Sequence, residues 1–548
     1  MLRSLCMNNS DGSITLGEKP GTGGIQAELV EAAALQGRQE CTVLFVLQEG
    51  SGRTSMDWKL SFCNMHLALA LATIAIAAQA QTAPPVQILD AAGNPLPQCA
   101  FKPSSGLARL EPPLTNQMMV GISLDWSYET PLKSKEKTKN HTPAVYNAWL
   151  DLVPGTFNGT GFDGNMLNWF GSEAGYVGAM LELTLNPPKD MRIADLKDLT
   201  PAMYDGISKA CQTINQRYGV PIFLRWAHEM NGDWYGWGNE PRAFIESWRQ
   251  LTLSVRKYTN MTAMVWAPNI GITYPFVGGS DGAARSTPLS NGTDFDLLDT
   301  NGDGKIDNFD DPYSPFWPGD EYVDWVGLSL YYYPRQNCHN NCPLPERYFE
   351  QLLTGGFNNP DTPGGGNTAD WQRTRNFYQQ FAASKNKPMM LPETGAPWIA
   401  EWATRPGATT EVAIKSAWYN QLLSTSTLTT YPRLKLVVNF EERKPLALDG
   451  EPAIQDWRVT NNSVTLDWWN GKLTEFQGNL KFANELVYNC DGSVVIGTKG
   501  TASGATTTAG SAVVTGAPSA AATTSKSGAV GLSGVVGSVL ALLASFVL

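Results

Sequence analysis

The chain has 548 residues, a formal net charge of −11 and a pI near 5.0, and it shows no Lys/Arg cluster interleaved with aromatics. That balance argues against a nucleic-acid partner. Nearly all Trp and Tyr lie between residues 86 and 490, which marks one large folded unit with non-core segments at both ends.

In chain order, the first signal is the short apolar run 65–80, closed by Ala78-Gln79-Ala80, the small-x-small pattern of a secretory cleavage site. The run is shorter than the ~20 residues a membrane span needs. Because a signal peptide stands at a chain start, residues 1–64 read as an extension of the gene model, with Met56 or Met65 as the first residue and a mature chain from near Gln81. Asn-x-Ser/Thr acceptors at Asn140, Asn158, Asn260, Asn291 and Asn461 agree with secretion. Past the signal the cysteines are Cys99, Cys211, Cys338, Cys342 and Cys490, an odd count that leaves at least one unpaired. Cys338 and Cys342 are placed to close a tight loop, Cys99 and Cys490 to tie the ends of the large unit, and Cys211 to be a buried thiol.

Short apolar runs then recur at 119–124, 144–152, 177–185, 220–226, 263–267, 323–330, 388–391 and 434–440. Between them, apolar residues fall three and four apart over 201–218, 241–259, 371–384 and 411–424, the spacing of amphipathic helices. Eight strand-like runs alternating with helices predict an α/β chain folded as a (β/α)8 TIM barrel with loop insertions, spanning 86–490. Active sites of such barrels lie at the C-terminal ends of the strands.

The fourth run leads into Arg225-Trp226-Ala227-His228-Glu229-Met230-Asn231-Gly232-Asp233-Trp234-Tyr235-Gly236-Trp237, and the seventh into Pro392-Glu393-Thr394-Gly395. Two acids 393 − 229 = 164 residues apart thus stand at two strand ends, with Trp234, Trp237 and Trp398 nearby. Retaining glycosidases need one carboxyl that keeps its proton and a second, ionised one roughly 5 Å away. Apolar neighbours would hold the proton on Glu229, and His228 or Arg225 would supply hydrogen bonds to the nucleophile. The bland reading makes Glu229 a salt-bridge partner of Arg225 and Glu393 a helix N-terminal carboxylate.

Before the sixth run, Asp299, Asn301, Asp303 and Asp307 occupy positions 1, 3, 5 and 9 of a calcium-loop pattern, with Gly304 at 6, Lys305 at 7 and Asp310 at the twelfth place. The expectation is a structural Ca²⁺ ion, weighed against a Gly/Asn/Asp turn that binds nothing. No cofactor is required for the chemistry. At the C-terminus a Ser/Thr/Ala/Gly-rich stalk (491–527) precedes an apolar tail (528–548), the layout of a GPI-attachment signal with Ser525 or Ser527 as the acceptor. The expectation is a monomer, secreted and lipid-anchored to the membrane outer face or cell wall.

Taken in order, Arg225-x-x-His228-Glu229-x-Asn231-Gly232-x-Trp234-x-x-Trp237, Trp266-x-Pro268-Asn269, 318–327, Pro392-Glu393-x-Gly395 and Asp456-Trp457-Arg458 resemble glycoside hydrolase family 26 over about residues 120–464. That family holds β-mannanases, with mixed-linkage β-glucanases and β-1,3-xylanases as relatives. The resemblance implies a (β/α)8 barrel, retention of configuration, Glu229 as acid/base and Glu393 as nucleophile. It also implies substrate contacts from His228, Trp234 and Trp237, and a hydrogen bond from Tyr331 to the nucleophile, although Tyr332 and Tyr333 follow directly. Arg225, Asn231 and Trp398 complete the expected substrate-binding set. Two departures touch substrate choice: Arg225-Trp226-Ala227 replaces the commoner Arg-Pro lead-in, and the eighth run ends Phe440-Glu441-Glu442 where mannanases often place Trp. β-1,4-Mannan is the first expected substrate. The alternatives are a cell-wall β-glucan hydrolase or transglycosidase, and a wall carbohydrate-binding protein without turnover.

Overall fold

Eight parallel strands close on one another: β1 Met118–Leu124, β2 Val145–Asp151, β3 Met180–Asn186, β4 Ile222–Trp226, β5 Thr262–Trp266, β6 in two pieces (Trp325–Gly327 and Leu330–Tyr331), β7 Met389–Gly395 and β8 Leu434–Glu441. Each pairs with the next, and β8 returns to β1 with Leu436 opposite Met119, so the sheet has no free edge. The computed structural model describes residues 110–497 apart from 140, 154–162, 188–195, 272–273, 277–293, 308, 334–337, 339, 356–374 and 449–450. It also describes the backbone of three antiparallel strands, Gln26–Ala34, Cys41–Glu49 and Gly52–Leu60, in the segment read from sequence as a gene-model extension. The apolar run 65–80, the tail 500–548, Cys99, Asn140, Asn158 and Asn291 lie outside the described residues.

The eight strands are buried on both faces over most of their length and are mainly apolar, because each lies between two packed layers. Met119, Val145, Met180, Phe223, Ala263, Val265, Trp325, Met390, Leu436 and Val438 fill the barrel. Leu181, Leu183, Ile222 and Leu224 face outward to meet Leu167, Ile207, Leu251 and Trp418 of the helices. Leu110, Leu114 and the hairpin residues Leu486 and Val494 join the interior group.

The helices are α1 Pro131–Lys137, α2 Gly164–Val177, α3 Pro201–Tyr218, α4 Pro241–Tyr258, α5 Phe295–Leu298, α6 Tyr348–Thr354, α7 Glu411–Leu422, α8 Thr425–Thr430 and α9 Ser463–Glu475. α3 starts where Thr200 accepts from the Met203 N–H with Pro201 in the first turn, and stops at Gly219, whose φ of 62° suits glycine. The predicted helix at 371–384 is a π-helical Tyr378–Ala383 over its described part. Val177, predicted to begin the third strand, instead ends α2. Above β7 and β8, Trp398–Ile399, Arg443–Leu448 and Glu451–Asp456 form a small antiparallel sheet.

Cys338 and Cys342 form a disulfide, Cys490 is disulfide-bonded, and Cys211 is a buried free thiol whose pKa burial pushes up to about 12. The Asn461 amide donates to Glu411 at 2.7 Å and to Asp456 at 3.3 Å, so this acceptor nitrogen is already engaged.

Candidate active site

β4 ends at Trp226, and the chain then turns through Ala227 and Glu229 with φ of 46° and 53°. Such left-handed values cost a residue with a Cβ on the order of 1–3 kcal/mol each and persist only where neighbours over-determine them. Here the Glu229 N–H donates to the Ala267 carbonyl just past β5 (2.8 Å), and the Glu229 carbonyl accepts from Gly232 N–H (2.9 Å). Held in this way, Glu229 is 7% exposed. Asn269 Nδ2 donates to its Oε1 at 2.8 Å and Trp234 Nε1 to its Oε2 at 2.9 Å. Both donors are neutral. Burial and then the charge of Glu393 push the Glu229 pKa up, against Arg225, Asn269 and Ser329. This is the environment of a carboxyl that keeps its proton.

Glu393 lies within β7 and is 6% exposed, not at a helix N-terminus. Its Oε1 is paired with Arg225 Nη1, and its Oε2 accepts from the Tyr331 phenol at 2.5 Å. Arg225 Nη2 donates to Ser329 Oγ at 2.6 Å, which fixes the guanidinium plane. A cation and a phenol thus both donate to this one carboxyl group. The guanidinium therefore serves Glu393, not Glu229 as the bland reading had it.

A third carboxyl lies nearby. Glu182 of β3 stands in register with Asn147 and Phe223, is fully buried, and has no hydrogen-bond partner for either oxygen among the described residues. Burial raises its pKa to about 8; Arg225 and Asn147 oppose, and Glu393 adds to the rise. The Arg225 charge acts on Glu393, Glu182 and Glu229, and Glu393 has the direct contact.

The other expected substrate contacts divide into two groups. Trp234 is half-buried and touches Glu229, and Trp398 is half-buried on the small sheet opposite Asp456. His228, Asn231 and Trp237 are more deeply buried, at 1%, 0% and 1% exposure. His228 Nε2 meets Tyr235 Oη at 3.0 Å, its carbonyl accepts from Trp237 Nε1 at 2.8 Å, and Trp237 stacks on Tyr235 at 4.4 Å. Asn231 exchanges two 2.9 Å hydrogen bonds with the Asn269 backbone and so places the side chain that reaches Glu229. The cause is the coil after Glu229, closed by Asn239 N–H on the Met230 carbonyl (2.9 Å), which turns these side chains inward. Arg225 is also fully buried and acts through Glu393.

Glu182, Ser329 and Trp149 were not singled out from sequence, and Asn269 was seen only as part of a motif. A lone acid inside the apolar run 177–185 was the available signal for Glu182. Trp149 lies beneath the Arg225 guanidinium (5.7 Å to the ring centroid) and edge-on to His228 at 4.9 Å.

In the calcium-like loop, Asp299 accepts from the N–H groups of Gly302, Asp303 and Gly304. Asn301 and Asp303 accept from Asp303 and Lys305 N–H, and Asp307 from Phe309 N–H. Asp310 accepts from Thr300, Asn301 and Asp307. The side-chain oxygens are thus directed at backbone amides, and among the described residues no group of three or more His, Cys, Asp or Glu is arranged to hold a metal ion.

A Beta-1,3-xylanase of Alcaligenes sp is 28% identical over 176 residues, 32% of this chain and 23% of that protein. Mannan endo-1,4-beta-mannosidase A of Piromyces sp is 34% identical over 64 residues, 12% of this chain and 10% of that protein. The matched stretch therefore spans less than a quarter of either relative. Among solved structures, an engineered protein aligns at a TM-score of 0.42 and 16% identity, covering 75% of this chain and 80% of that one. Residues 190–270, which carry β4, Glu229 and Asn269, match the model of Glycosyl hydrolase family 26, and it is to that family that this chain is similar.

Proposed function

We propose that the protein is a retaining glycoside hydrolase of the family 26 type that cleaves a β-linked polysaccharide. The observation that carries this reading is the asymmetry of the two carboxyls at the barrel mouth: Glu229 has neutral donors and a raised pKa, while Glu393 has a guanidinium and a phenol. Glu229 donates its proton to the leaving glycosidic oxygen as Glu393 attacks the anomeric carbon. Glu229, now ionised, then takes a proton from water, and the resulting hydroxide equivalent releases the sugar from Glu393. A binding protein without turnover has no need of this division.

β-1,4-Mannan is the first substrate of this reading, and one relative is named for mannan cleavage. β-1,3-Xylan is the second, because the longer alignment is to a β-1,3-xylanase and the chain leaves β8 through Phe440-Glu441-Glu442. The sequence signals at 65–80 and 528–548 support secretion and a GPI anchor at the cell surface. Glu393→Ala and Glu229→Gln should each lose on the order of 10³-fold in turnover or more. Azide should rescue Glu393→Ala on an activated aryl glycoside; substantial activity in either variant without azide would sink the scheme. A screen on mannan, lichenan, β-1,3-glucan and β-1,3-xylan assigns the polymer.

A further inference from the structure

Tyr333 stands against Tyr331, the residue that donates to Glu393, with its own hydroxyl uncommitted. Side chains alternate along the extended segment after Leu330. Leu330 joins the outer core, and Tyr331 points inward to Glu393. Tyr332 points outward, where its hydroxyl meets the Cys342 carbonyl at 3.2 Å and its ring meets Tyr348 edge-on at 5.4 Å. Tyr333 then returns to the inner side, 5.7 Å from the Tyr331 ring and packed on the group formed by Tyr331, Phe440 and Trp457. It is half-buried where Tyr331 is 6% exposed.

Each of the four carboxyl oxygens of Glu229 and Glu393 already has its own donor: Asn269, Trp234, Arg225 and Tyr331. Tyr333 makes no hydrogen bond among the described residues. Burial, followed by the charges of Glu229 and Glu393, holds the phenol far above its ordinary pKa, so it remains a neutral O–H at working pH. A neutral hydroxyl without a hydrogen bond among the described residues, one ring away from the carboxyl that Tyr331 holds, suits an oxygen that arrives with the substrate.

We propose that Tyr333 is a substrate-positioning residue whose hydroxyl hydrogen-bonds a free hydroxyl of the sugar seated between Glu229 and Glu393. The assignment rests on the glycosidase reading and adds to it a contact that discriminates among sugars by the placement of that hydroxyl. A site built to bond a substrate hydroxyl penalises the analogue that lacks it, because the site's own group is then left unpaired.

The test compares Tyr333→Phe with wild type on the preferred polysaccharide and on aryl glycosides in which each ring hydroxyl in turn is replaced by hydrogen. Tyr333→Phe should lower kcat/KM about 10-fold to 100-fold on the parent substrates, with the melting temperature and the pH profile unchanged. On one deoxy substrate the difference between wild type and variant should vanish. Tyr331→Phe, which removes a donor from Glu393 itself, is the comparison for a residue acting through the nucleophile and should alter the pH profile. An unchanged kcat/KM, an equal loss on every deoxy substrate, or a displaced pH profile in Tyr333→Phe would each overturn the assignment. A wild type that turns over none of these substrates overturns the glycosidase reading and this assignment with it; an active wild type with an indifferent Tyr333→Phe overturns this assignment alone.

Discussion

Arg225 of β4 and Glu393 of β7 form a buried ion pair across the mouth of the barrel, although 168 residues separate them. The pair fixes Glu393, and it leaves Glu182, a further carboxyl that feels the Arg225 charge, without a hydrogen-bonded partner among the described residues.

Breaking this pair should damage stability and turnover together. Arg225→Met strands the Glu393 carboxylate in a buried site, and loss of one member of a buried pair costs about 3–5 kcal/mol. The expected outcome is a lower melting temperature and turnover reduced at least about 100-fold, with Arg225→Lys intermediate because it keeps the charge but not the planar fork. Melting curves and kcat for both variants check this; an Arg225→Met protein as stable as wild type would contradict the role given to the pair.

The alkaline limb of kcat/KM should report Glu229. Its pKa lies above the ordinary carboxyl value, so activity is present while it holds the proton and is lost as pH rises through that raised value. Asn269 donates to Glu229 and favours the ionised form. Asn269→Ala should therefore move the alkaline limb to higher pH, as read from a kcat/KM profile; a move to lower pH would contradict the assignment.

Glu182 should make stability pH-dependent. Its folded-state pKa is raised from 4.5 to about 8. The folded protein keeps a proton that the unfolded chain releases, so this contribution is complete below pH about 4.5 and is lost as pH rises towards about 8. Glu182→Gln, which cannot ionise, should become more stable than wild type by a few kcal/mol across that window. Denaturant titrations at several pH values check it, and parallel curves for the two proteins would refute it.

The 299–310 loop should be indifferent to chelation. Asp310 is 2% exposed and accepts from Thr300 N–H at 2.7 Å and Asp307 N–H at 2.8 Å. Asp310→Ala orphans those donors at about 1–3 kcal/mol and should lower the melting temperature by a few degrees. A chelator should leave the wild-type melting temperature unchanged; a clear drop would support a bound calcium ion.

The strand runs were legible because a barrel strand is buried on both faces, and a short apolar run between turns declares that burial locally. α3 was legible to the residue because Thr200, Pro201 and Gly219 mark its ends. The end of α2 is not legible, because Val177 and Leu181 are equally apolar and the break between helix and strand is made by Gly178 with φ of 76°. In β6 the run 323–330 concealed an irregular middle, where Ser329 bridges to Asn269 and helps to orient the groups around Glu229.

Sequence by itself determined which acids stand at strand ends, because apolar periodicity and the acid that follows it are local facts about Glu229 and Glu393. Only tertiary structure decided which groups each acid meets. Arg225 lies four residues before Glu229 yet pairs with Glu393, and Trp237, in the same motif, turns into the core. The physical reason is that barrel closure brings β7 opposite β4, while the left-handed turn at Ala227 and Glu229 redirects the chain beyond what any periodicity encodes.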